Sequence, residues 1–212
     1  MDPRDYQATR IANIATPALG LILSIPGFVA LLLQVSRAGD GIHTLAFIIY
    51  GLSLVISYAL FTLYHIFKFH VHLGRLFKIL DHATIYVLIA GTYTPFALGP
   101  LRDNWGWALF VAVWVITVLG VIFKVFYIYR FKILGPLIYL AMGWLFVLFI
   151  KPALELIPMS GLLLLLVGGL FYSFGLIFYA WKRLRFHHAI WHLFVLAGSA
   201  CHYFAVYYHV IL

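Results

Sequence analysis

His188 and His192, in the run His188-Ala189-Ile190-Trp191-His192, stand four residues apart. On a helix of about 3.6 residues per turn both imidazoles lie on one face, one turn apart, where two ring nitrogens can reach one metal ion. Alone, an H-x-x-x-H pair is a weak metal signal, because histidine is common near membrane interfaces. No Glu stands inside the pair, so it is not the H-E-x-x-H arrangement of zinc proteases. The carboxylate placed for chemistry is Asp81, in Ile79-Leu80-Asp81-His82-Ala83-Thr84. The other five acidic residues, Asp2, Asp5, Asp40, Asp103 and Glu155, fall in tails or connectors where water solvates them. Taken alone, Asp81 reads equally well as a helix N-terminal carboxylate favoured by the macrodipole.

The elements that must position these groups are membrane spans. Hydrophobic residues make up 65% of the 212 and charged residues only 9%, and the mean hydropathy of +1.05 is far above what a soluble core needs. The excess of 14 Lys+Arg over 6 Asp+Glu sits in short clusters between apolar runs, not along one basic face, which speaks against nucleic acid. Cys201 lies in an apolar run as a small hydrophobe and has no second cysteine to pair with. Apolar stretches of about twenty residues, the length needed to cross about 30 Å of hydrocarbon, occur at 16–36, 43–66, 79–98, 106–126, 134–151, 160–181 and 188–210. The expected fold is therefore all-α: one polytopic domain, residues 1–212, of seven transmembrane helices.

Orientation follows from charge. With the N-terminus inside, the inner connectors hold Arg4, Arg10, Lys68, Arg75, Lys78, Lys124, Arg130, Lys132, Lys182, Arg183 and Arg185, and the outer ones only Arg37, Arg102 and Lys151. Lys and Arg near span ends stay cytoplasmic, so the N-terminus is expected in the cytoplasm and the C-terminus outside. Trp105, Trp107 and Trp181 fall at span ends, as interfacial belts require.

This topology gives the histidine pair its weight. His65 ends span two, Asp81 starts span three, and His188 and His192 start span seven, all at the cytoplasmic level. Three neutral imidazoles with an open position form the ligand set of catalytic zinc, and a nearby carboxylate can orient or deprotonate the water. Imidazole equally suits copper, nickel and iron. His82 points about 100° from Asp81 around the helix and is a reserve ligand. His70, His72 and His187 read as solvated interfacial residues, and His43 and His209 fall on the outer side. His202 lies roughly 15 Å beyond His192, and Ser199, on the face of His192, packs or lines a cavity above the site.

The runs Leu63-Tyr64-His65, Asp81 through Phe96, Tyr139-Leu140-Ala141-Met142-Gly143-Trp144 and His188 through His192 resemble the hemolysin III family, bacterial relatives of the progestin and adipoQ receptors. The resemblance spans essentially the whole chain. It implies that His65, His188 and His192 bind zinc (Zn2+) and that Asp81 contacts the zinc-bound water. One departure stands out: the family usually has serine four residues before the second-span histidine, where this chain has Phe61. Ser57 and Thr62 are about 80° and 60° from His65 and reach it only on a rotated or distorted helix.

Three readings of function follow. The first is a zinc-dependent, ceramidase-like intramembrane hydrolase of lipid amides, with Asp81 as general base, acting in membrane lipid homeostasis. The second is a non-enzymatic sensor in which structural zinc pins three helices and lipid binding shifts their packing. A pore or cytolysin, as the family name implies, comes last, because no polar run passes through the membrane depth. Membrane lipids or fatty acyl chains are the expected partners, in a multi-pass protein of the cell membrane.

Overall fold

The computed structural model describes residues 3–38, 41–131 and 134–211; Asp2, Asp40 and Lys132 lie outside them. Among the described residues the chain is helical throughout, with eight α-helices: α1 Pro3–Ala38, α2 Gly41–Phe67, α3 Leu73–Leu98, α4 Trp107–Tyr127, α5 Leu134–Gly143, α6 Ile150–Leu156, α7 Met159–Ala180 and α8 His187–His209. A π-helical turn, Arg102–Gly106, leads into α4, and a 3₁₀ segment, Trp144–Phe149, joins α5 to α6. Six of these rods are long and apolar enough to cross a membrane, the α5–α6 rod being counted as one from Leu134 to Leu156. The exception, α3, is long enough at 26 residues but carries Arg75, Lys78, Asp81, His82 and three threonines. It is also the most enclosed: Ala90 through Leu98 are all buried. A helix wrapped by protein does not have to present an apolar face to lipid, so its pattern is the least hydrophobic.

The helices close into a ring. α1 packs on both α2 and α8, α3 packs on α2 and α4, and α7 packs along α8. Gly168 and Gly198 bring α7 and α8 together so closely that a Cβ on either would stand 3.0–3.1 Å from the other's carbonyl oxygen, which fixes the height of α8. The α5–α6 rod is the most loosely packed, against both α4 and α7.

Three boundaries differ clearly from the expected ones, α3 starting at Leu73 instead of 79. α1 begins at Pro3 instead of 16, because Pro3 suits a first helical position, Asp5 sits in the first turn, and the turn is held from outside: Asp5 Oδ1 pairs with Arg185 at 2.7 Å and Tyr6 packs on Phe69. The expected span 134–151 is broken at Trp144. There Tyr93 of α3 donates its hydroxyl to the Gly143 carbonyl at 2.7 Å and accepts the Phe146 N–H at 2.9 Å, satisfying backbone groups that have no partner in lipid. Tyr93→Phe should leave both groups unpaired, at about 1–3 kcal/mol, and lower the thermal midpoint of the detergent-solubilised protein by roughly 2–10 °C; an unchanged midpoint would assign the break another cause.

Candidate metal centre

α2 ends two residues past His65, and the short connector 68–72 turns the chain back into α3, where His70 Nδ1 accepts the His72 and Leu73 N–H groups. The connector into α8 ends at Phe186, whose φ of 59° is left-handed, a costly conformation for a bulky side chain. It starts α8 so that His188 falls in the first turn and His192 in the second.

The three histidines meet. His65 Nε2 and His192 Nε2 are 3.1 Å apart, and the His188 ring centroid is 4.7 Å from that of His65 and 4.9 Å from that of His192. One ring nitrogen from each lies within 4.8 Å of the others. Tetrahedral ligands at the usual Zn–N distance sit about 3.3 Å from one another, so a small rotamer adjustment brings all three onto one ion. His65 and His192 are buried, and like nitrogens facing each other in an apolar interior can share one proton or one cation. The donor set suits zinc and supplies no thiolate.

Asp81 is buried as well, in the third turn of α3, because that helix starts at Leu73, not at 79. Its Oδ2 lies 3.0 Å from His82 Nδ1. That nitrogen also faces the Lys78 carbonyl at 2.9 Å, so it carries the proton, and His82 Nε2 can accept from the Tyr179 hydroxyl at 3.4 Å. His82 therefore supports the carboxylate and takes no place in the histidine cluster. Asp81, His188 and His192 line a cleft of about 20 Å³ with Tyr179 and Trp191, large enough for one water with polar partners.

Beyond the cleft lies a cavity of about 350 Å³ between α3, the α5–α6 rod, α7 and α8. Along α3 its lining runs from Ile85 to Phe96, roughly 16 Å. Its wall is apolar, and most of its few polar groups are engaged: Thr92 bonds the Leu88 carbonyl, Trp144 Nε1 donates to Ser173 Oγ, and His202 Nε2 meets the Leu165 carbonyl, while His202 Nδ1 is buried without a partner. Such a space suits an acyl chain.

Several sequence expectations find other partners. Ser199 lines neither cavity; Tyr58 donates to its Oγ, and Tyr172 shares the same atom, both at 2.8 Å. Ser57 bonds Thr84 and Thr62 bonds the Tyr58 carbonyl, so neither hydroxyl turns to the cluster. His70 and His72 are exposed, whereas His187 is half-buried. Lys124, read as an orientation charge, is buried at 3% exposure, its Nζ 5.3 Å from the Tyr139 ring centroid. Gly135 makes that possible, because a Cβ there would collide with Nζ. Tyr139 in turn donates to the His82 carbonyl at 2.6 Å, linking α5 to the turn that carries Asp81. Tyr139 and Trp191 entered the sequence reading only as members of the family-like runs, and Tyr179 gave no signal beyond being aromatic within an apolar run.

The sequence model of a family described as haemolysin-III related matches residues 7–203. The chain is 46% identical over 201 residues to hemolysin-3 of Bacillus cereus, covering 95% of this chain and 91% of that one. It is 44% identical over 201 residues to the hemolysin-3 homolog of Bacillus subtilis (strain 168), covering 95% and 94%. At 30% identity over 213 residues, covering 95% and 85%, it also matches the monocyte to macrophage differentiation factor of Homo sapiens.

Proposed function

This chain belongs to the hemolysin III family of multi-pass membrane proteins, and from that premise we propose that it is a zinc-dependent intramembrane hydrolase of lipid amides acting in membrane lipid homeostasis. Residues 1–212 form one domain in which α3 makes a seventh crossing beside the six apolar rods, with the N-terminus cytoplasmic and the C-terminus outside; the eleven-to-three division of Lys and Arg supports this orientation. The observation that carries the reading is the adjacency of three ring nitrogens, a buried carboxylate in a one-water cleft, and an acyl-sized apolar cavity.

His65, His188 and His192 would hold the metal. When bound, it supplies Lewis acidity toward a carbonyl oxygen and lowers the pKa of a water toward about 7. The chain does the rest. Asp81 Oδ2 is occupied by His82, which leaves Oδ1 to take the proton of the attacking water and pass it to the leaving amine. The cavity holds the acyl chain, and its apolar wall keeps water out.

The test is to purify the protein, measure zinc, and incubate it with defined ceramides and phospholipids. About one zinc per chain with fatty acid released is expected. Zinc without release would turn the assignment to a lipid sensor with structural zinc, a reading that survives the replacement of the family's usual serine by Phe61. A metal-free protein that binds no added zinc would remove both.

A further inference from the structure

The one-water cleft and the acyl cavity share a boundary. Phe61, Ile85, Pro136, Tyr139, Leu176 and Trp191 line both, so α2, α3, α5, α7 and α8 each contribute at least one side chain to a ring between the histidines and the apolar space. Phe61 is the most confined of them. It precedes His65 by four residues and therefore stands one helical turn deeper on the same face of α2. It is 3% exposed. Its ring lies 5.6 Å from the His192 ring, and Tyr58 packs edge-on to it at 5.7 Å. Tyr58 is itself anchored to α8 through Ser199. These neighbours hold the ring between α2 and α8, at the boundary the two spaces share.

We propose that Phe61 is the specificity-determining residue of this neck, restricting the site to acyl groups that are unbranched next to the carbonyl. This rests on the hydrolase reading. With the carbonyl at the histidines, the carbons that pass Phe61 are the first few of the chain, because the neck opens directly into the cleft. A straight methylene run fits beside a fixed phenyl ring. A branch on the carbon next to the carbonyl must displace either Phe61, packed against His192, or Trp191, which stands on the histidine helix against Tyr179. Small-to-large misfits in a packed site are disfavoured, whereas the wider cavity beyond the boundary has room for the rest of the chain.

Palmitate and 2-methylhexadecanoate share one main chain and differ only by a methyl on the carbon next to the carboxylate. Their binding to the zinc-loaded, detergent-solubilised protein should be measured for wild type, Phe61→Ala and Phe61→Leu, with zinc content measured alongside. Wild type should prefer palmitate by at least tenfold, Phe61→Ala should reduce the preference below threefold, and Phe61→Leu should fall between, all with zinc retained. If Phe61→Ala does not fold, the Phe61→Leu shift decides. An undiminished preference in the variants overturns the neck while leaving the hydrolase reading intact. A wild type that binds neither acid overturns both.

Discussion

Replacing His192 by alanine should drop the zinc content from about one ion per chain to under a tenth, the largest single effect expected anywhere in the molecule. His192 is the imidazole that ties α8 to α2: its Nε2 faces His65 Nε2 at 3.1 Å, and its ring is 2% exposed. Without it, two nitrogens remain where a tetrahedral site needs three or four. Loss of an outer-shell partner already weakens metal binding by about 10–100-fold, so loss of a ligand should exceed that. His82→Ala is the matching control, because that ring is turned toward Asp81 and the Lys78 carbonyl. It should keep its zinc. Metal analysis of the two variants, with thermal unfolding of wild type before and after chelation, checks both; a zinc-replete His192→Ala would refute the site.

Asp81→Asn should do the reverse, retaining metal and losing turnover. The amide keeps the shape of the carboxylate and an oxygen for His82 Nδ1, but it cannot take a proton from water. General-base assistance contributes about 10²–10⁴-fold, or roughly 3–5 kcal/mol. Fatty acid release should fall by that factor in kcat with little change in KM, since the acyl cavity lies beyond the carboxylate. More than a tenth of the wild-type rate would remove Asp81 from the role of base.

The histidine cluster was legible by convergence: the four-residue spacing is weak alone, and it gained weight because His65 and the pair stand at run ends that the charge pattern puts on one side of the membrane. Length and hydropathy placed most helices to within a few residues, since lipid imposes a simple rule on them. What escaped was set by contacts distant in sequence. The early start of α1 depends on Arg185 and Phe69, and the break at Trp144 on a tyrosine about fifty residues away. Lys124 looked like every other boundary cation because its concealment requires Gly135 and the face of Tyr139. α3 misleads in the other direction: its polar content reads as a marginal span, yet it is the helix the others enclose.

The ring closes through its two ends, α1 against α8, with the Gln34 amide donating to the Tyr207 carbonyl and the Tyr203 hydroxyl to that of Gly27. His65 and His192 are 127 residues apart. During synthesis, α2 enters the bilayer with its histidine long before its partners leave the ribosome. At about 5–20 residues per second, the wait is on the order of ten seconds. Until α8 arrives, a half-inserted chain offers one of the three clustered imidazoles and no cage, so on the metal-site reading uptake would mark a finished bundle and an early-terminated product would stay metal-free.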